Sequence, residues 1–201
     1  MAIISIRDMY PATLTGDGSG FGRRYYNQVS TSTITGTTQV QTLGLPRHTF
    51  RLVVPDCDPV RGGKLRAVIQ QARGGVNLIE AYDPSRMFSA GTATGDRTGS
   101  GAKGALAVSV SGGGMLRAGD WIQIGSSVGA SQMVMVTADT NLPASVPIAD
   151  PLFFAFSGAR VRVDLPCTYF RLTGTLDTVG GVAGTRQNIH GFSADFLEAF
   201  S

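Results

Sequence analysis

The sequence predicts a mainly β chain with one packed helix and a smaller inserted β subdomain. Three observations carry that prediction. Apolar and polar residues alternate with a period of two in several separate runs, as in Phe50, Leu52 and Val54 against Arg51 and Val53. The 27 glycines among 201 residues exceed the usual share of about 7% and are spread along the chain, which suits many turns and short strands. Only one stretch, Leu65, Val68, Ile69 and Ala72, has the spacing of a helix face.

Taken in order, residues 1–35 read as an irregular, arm-like lead-in, because Gly16, Gly18, Gly20 and Gly22 leave every second position without a side chain. Thr31 to Thr38 is rich in β-branched residues and is expected as a strand. His48 to Val54 is the clearest N-terminal strand, ended by Pro55-Asp-Cys-Asp-Pro59. Asp58 can cap the helix that follows and Pro59 suits its first position, while Gly62-Gly63 delays the expected start to Gly63 or Lys64. Gly74-Gly75 ends the helix, and Val76 to Ala81 returns as a strand.

A different texture then begins. Ala90 to Gly104 is small and polar, Ala105 to Val110 is a strand, and Ser111 to Gly114 is a turn. Leu116-Arg-Ala-Gly-Asp-Trp-Ile-Gln-Ile-Gly125 is a tight turn feeding a strand, and Gln132 to Thr137 is its alternating partner. Asn141 to Pro147 reads as a loop. Arg160-Val-Arg-Val-Asp164 reads as an exposed sheet face or a charge-protected edge. Asn188 to Phe200 closes the chain as an aromatic strand that is docked, with His190, Phe192, Ala194 and Phe196 on one face. The organisation expected is an outer unit of residues 1–85 with 159–201 and an inserted β subdomain of residues 86–158.

Composition narrows the function classes. A net charge of +3 from 17 basic and 14 acidic residues is too small to argue for nucleic-acid binding, and Arg23-Arg24-Tyr25-Tyr26 is the single short run with a stacking character. Two cysteines, Cys57 and Cys167, are too few for a disulfide scaffold; two buried thiols or one bridge both fit the count. The opening residues lack a signal-peptide pattern, and no apolar run reaches the length of a membrane helix. Cytoplasmic synthesis and retention are expected.

The chemistry of an enzyme is missing. Gly99-Ser-Gly-Ala-Lys-Gly104 matches G-x-G-x-x-G, yet it follows a polar loop and precedes a strand, so no helix N-terminus meets a pyrophosphate there. His48 and His190 lie in strand-like runs outside any triad or metal spacing, and read as structural or interfacial. Asp56 and Asp58 flank Cys57 as a polar turn with a helix cap. Asp150, Asp164, Asp177 and Asp195 give no carboxylate pairing. The site residues expected are therefore none: no catalytic, cofactor-binding or metal-ligating set, no cofactor, and no enzyme activity. Trp121 reads as a core residue anchoring the small subdomain, with a sugar-stacking role as the alternative.

Several separated blocks carry a family resemblance. They are Gln39-Val-Gln-Thr-Leu, Thr49-Phe-Arg-Leu, the basic helix ending Ala72-Arg-Gly-Gly, Leu116 to Gly125, Phe170-Arg-Leu and the terminal Gly191 to Phe200. Together, over about residues 35–200, the chain resembles minor tail proteins of long-tailed bacteriophages, especially distal-tail-type baseplate proteins. The resemblance implies a virion structural protein at the tail tip, present in the host cytoplasm during assembly. It implies a tube-like β-sandwich or split barrel with a packed helix, plus a second β domain to which Leu116–Gly125 belongs. It also implies self-association into a closed ring, expected as a hexamer, between the tail tube protein and the baseplate hub and other tail-tip proteins. DNA would be transient channel contents only. Gly62-Gly63 and Gln70-Gln71 depart from the leucine-rich helix surface usual in that family.

The alternative role is a module that binds host-surface glycan through the middle subdomain, and a cell-wall hydrolase is a more distant one. In a channel for DNA the basic residues of the helix (Arg61, Lys64, Arg66, Arg73), with Arg160 and Arg162, are expected away from the lumen. A glycine-, threonine- and serine-rich sheet face would line the bore.

Overall fold

A computed structural model describes residues 2–6, 20–54, 59–83, 85–173 and 192–199. Cys57 with its flanking aspartates, His190, the Gly16–Gly18 stretch and Phe200 lie outside the described residues. The fold is mainly β, with mixed sheets, one of them curled into a half-barrel, and one short helix.

The first sheet has six strands: β1 (Ile3–Ser5), β2 (Gly20–Thr31), β3 (Thr38–Val54), β4 (Leu78–Tyr82), β11 (Cys167–Thr173) and β12 (Phe192–Glu198). Their spatial order is β1-β4-β11-β12-β3-β2, with only β1 and β4 parallel. Phe196 of β12 stands opposite Phe50 of β3, and their rings stack at 5.6 Å. Phe170 lies 5.8 Å from Phe50, and Phe21 meets Phe170 edge-on at 5.6 Å. The predicted alternation of Phe50 and Leu52 thus has its reason in this aromatic core.

The helix α1 (Pro59–Gln71) packs the buried residues Val68, Ile69 and Ala72 against that core. It begins at Pro59 rather than at Gly63 or Lys64. Glycine costs about 1 kcal/mol in a helix interior, and tertiary packing of one apolar stripe outweighs it. A short 3₁₀ turn (Arg73–Gly75) follows, with Gly74 at φ 62°. Asn77 then donates its side-chain amide to the Gln71 carbonyl at 2.8 Å and accepts the Ala2 amide at 3.0 Å, tying the helix end to β1.

Two N-terminal expectations are corrected here. Residues 20–31 are a twelve-residue strand rather than an irregular arm, and Thr31 to Thr38 is the turn of a hairpin rather than a strand. Ser32 and Thr37 close that turn with a 2.9 Å backbone bond, and Gly36 takes φ 68°. The pairing of β2 with β3 along almost their whole length overrides the β-branched composition of the turn. Gly22 belongs to this pairing, since a side chain there would meet Thr49 Oγ1 at 2.9 Å.

The second sheet is antiparallel throughout: β5 (Asp96–Gly101), β6 (Ala107–Leu116), β7 (Trp121–Ser127), β8 (Ala130–Met135), β9 (Thr140–Pro147) and β10 (Phe156–Arg162), in the order β8-β7-β10-β5-β6-β9. Its own core holds Ile122, Ile124, Val134, Val136, Val146, Leu152 and Val161. Asp96–Gly101 is a strand where a polar loop is expected, and its glycines explain why. A side chain at Gly99 would meet Val161 at 2.6 Å, and one at Gly101 would collide with Leu152. The Gly99–Gly104 motif therefore serves close packing.

Three further expectations change. Asn141 to Pro147 lies within β9, and its prolines are tolerated because β9 is an edge strand. Ser111 to Gly114 continues β6 through a register shift between Val110 and Gly114 instead of turning. Arg160 to Arg162 belong to β10, which lies between β7 and β5 and so is not an edge, while exposed Arg160 beside buried Val161 agrees with the other alternative, an exposed sheet face. β10 also straddles the expected boundary at 158/159 and pairs inside the second sheet.

Candidate assembly surface and the junction beneath it

The β2–β3 hairpin divides into two halves of unlike environment. Its root lies in the core: Phe21 opposite Phe50 and Arg23 opposite His48. Beyond Arg24 and Arg47 the register shifts twice, and the strands continue for about 25 Å at 3.3 Å per residue. Along that distal half Tyr25 is 60% exposed and Ile34 94%, and Val29, Val40, Leu43 and Leu45 are also exposed. An open groove of about 750 Å³ lies against the paired strands, lined by Arg24, Tyr25, Tyr26, Asn27, Leu43, Gly44, Leu45 and Arg47. Arg24 lies over the Tyr26 ring at 5.3 Å and Arg23 over Tyr25 at 5.8 Å, so the short arginine–tyrosine run forms two cation–π pairs.

Apolar side chains in this number on a two-stranded ribbon have no fold-level explanation. A hairpin alone is marginal in water, and contiguous exposed apolar surface marks an interaction site. β2 is also an edge strand, with its outer backbone groups open to pairing.

At the root of the hairpin the two sheets meet, and the meeting is largely polar. Trp121 is 8% exposed, its ring edge-on to His48 at 5.2 Å and to Phe21 at 6.4 Å, and its Nε1 donates to Asp83 at 3.1 Å. It thus packs between the two sheets, and no open ring face is left for a sugar. His48 donates from Nε2 to the Met133 carbonyl at 3.1 Å, and its backbone amide donates to Glu198 at 2.8 Å. Thr168 gives Glu198 a second bond at 2.7 Å. Arg23 reaches Asp150 at 2.6 Å, with both side chains largely buried.

Burial, with help from the Arg23 charge, pushes the His48 imidazole down to about 3. Burial raises the Glu198 carboxyl, and the amide and hydroxyl bonds pull the other way. Burial raises the Asp150 carboxyl too, against the pull of Arg23. Alongside, Cys167 donates to Glu80 at 2.7 Å, receives Arg162 at 2.9 Å, and has its amide held by Gln123 at 3.3 Å. Burial and then Glu80 push this thiol up to about 12, so it is a free but inert cysteine.

The expected absence of a chemical site leaves few residues to place. His48 is in the junction, 2% exposed. Asp150 is held by Arg23, while Asp164 and Asp195 lie apart, the first on the Gly95 amide and the second beside Arg51. Among the described residues no three His, Cys, Asp or Glu side chains gather to hold a metal, and no helix is long and apolar enough to cross a membrane. Sequence reasoning missed the distal hairpin because it has no strict period-two apolar pattern; the available signal was Tyr25-Tyr26 and Val29 set against Val40, Leu43 and Leu45. No protein-family model matches the chain, and no curated protein matches it significantly.

Proposed function

We propose that this chain is a structural subunit of the tail tip of a long-tailed bacteriophage, of the distal-tail type. In this reading the first sheet with α1 is a tube-like ring-forming domain, and the second sheet is an inserted outward β domain. Copies close head-to-tail into a ring, taken as a hexamer, that joins the tail tube to the hub and passes DNA. The observation that carries the reading is the distal half of the β2–β3 hairpin: exposed on both strands, apolar, and reaching beyond its own sheet. A head-to-tail contact covers such an arm and generates a ring when the rotation closes.

The blocks that carry the resemblance fit the same reading. Phe170-Arg-Leu and Thr49-Phe-Arg-Leu lie in core strands of the first sheet, and Leu116 to Gly125 runs from β6 through a turn into β7 of the second. Lys64 and Arg66 are exposed on the helix and lie outside that sheet's core. The test is native mass spectrometry with light scattering on the chain alone and mixed with tail-tube and hub proteins. A closed ring supports the proposal; a chain monomeric in every mixture overturns it. DNA titration of the ring at physiological salt should show little affinity, as passage requires.

A further inference from the structure

One apolar cluster, Leu78, Tyr169 and Ala199 with Val128, joins the two sheets, and beside it lies a polar contact with one residue at its centre. His48 is 2% exposed and touches both sheets: its ring lies 5.2 Å from that of Trp121 and its Nε2 bonds the Met133 carbonyl at 3.1 Å, while its own strand belongs to the first sheet. A carbonyl oxygen accepts only, so Nε2 carries the proton and Nδ1 is left with a bare lone pair. Among the described residues Nδ1 has no hydrogen-bond partner, and neither has Arg23 Nε of the opposite residue on β2. A proton arriving at Nδ1 would find no acceptor and would place a second cation beside the Arg23 guanidinium in a buried site.

We propose that the junction between the two sheets is an acid-operated latch, which holds the Trp121 sheet against the first sheet while His48 is neutral and releases it when His48 takes a proton. The charged groups around His48 set how it works. On β2 stands Arg23, held by Asp150 from the segment after β9; on β3, the adjacent Arg47; on β12, Glu198, whose two oxygens are already taken by the His48 amide and Thr168. Asp83, after β4, holds the Trp121 indole. From β7 and β8 His48 receives the Trp121 ring and the Met133 carbonyl. The buried carboxyls of Asp150 and Glu198 take up protons more readily folded than unfolded, so their proton uptake favours the folded chain as pH falls, and of these three groups His48 is the one that drives release. Each sheet has its own apolar core, and Val128 packed on Leu78, Tyr169 and Ala199 is the apolar contact that release must also part.

Trp121 is the only tryptophan in the chain and reports on the latch directly. With the full chain, its emission maximum is followed from pH 7 down to pH 3 beside far-ultraviolet circular dichroism. The expected result is a shift to longer wavelength with one-proton steepness while the circular dichroism holds, and loss of that shift in His48→Gln. An emission maximum that stays fixed until the circular dichroism collapses overturns the proposal, as does a shift that persists unchanged in His48→Gln. If His48→Gln does not fold, histidine-selective NMR on the wild-type chain decides. Titration of His48 together with the emission shift supports the latch, and protonation of His48 with Trp121 undisturbed refutes it.

Discussion

The two halves of the β2–β3 hairpin are continuous strands joined across two register shifts, yet they live in different solvents. At the root, Phe21, His48 and Phe50 are enclosed by Phe170, Phe196 and Trp121. Beyond Arg24, side chains of similar character, Tyr25, Val29, Leu43 and Leu45, face water. The difference is one of cover rather than composition. A root that is packed does not require another molecule, whereas an apolar ribbon left outside the fold gains stability only when something is laid against it. The hairpin therefore divides a residue's contribution to folding from its contribution to assembly.

The largest effect belongs to the root. Phe50→Ala should cost about 3–5 kcal/mol of unfolding free energy, read from urea denaturation, because a fully buried ring in contact with three other phenylalanines leaves a cavity. Next, Asp150→Ala strands the Arg23 guanidinium and should cost about 3 kcal/mol. Replacing both, as Arg23→Met with Asp150→Leu, should return most of that loss, since a buried ion pair is often no better than an apolar pair of like volume. A double change as damaging as the sum of the singles would show that the pair itself stabilises the root.

The pH dependence is smaller. The folded His48 is depressed to about 3 against an unfolded value near 6.5, so its contribution is complete above 6.5 and is lost as pH falls toward 3. Between pH 7 and pH 5 the wild type should lose about 2 kcal/mol more than His48→Gln, measured by denaturant midpoints at each pH. The smallest effect on folding belongs to the distal half. The triple change Val29→Ser, Ile34→Ser and Leu43→Ser should alter stability by less than about 0.5 kcal/mol per site while abolishing assembly. A large loss of stability would mean the distal ribbon already belongs to the core.

The same contrast explains what the sequence could and could not disclose. Phe50 and Leu52 are legible because one face of β3 is buried there; β7 and β8 are legible through their apolar and β-branched content, since Trp121 to Gly125 and Ser131 to Val134 are buried on both faces. The stripe of Val68, Ile69 and Ala72 is legible for the same reason as Phe50 and Leu52. β5 is not, because Asp96-Arg-Thr-Gly-Ser-Gly101 has little β propensity of its own, and its strand exists through pairing with β6 and β10. β2 is hidden because half of it has no buried face to impose a period. The junction is less legible still: His48 and Trp121, or Arg23 and Asp150, are brought together only by the packing of two sheets, which no local pattern encodes.

The central claim is that the distal hairpin is an assembly surface, and hydroxyl-radical footprinting of the full chain tests it most directly. Reactivity at Tyr25, Ile34 and Leu43 is compared between the isolated chain and the chain assembled with tail-tube and hub proteins, with the exposed Phe88 and Leu106 of the other part of the molecule as internal references. The account expects the three hairpin residues to lose reactivity several-fold relative to Phe88 and Leu106. Hairpin residues as reactive in the assembly as in isolation would contradict it.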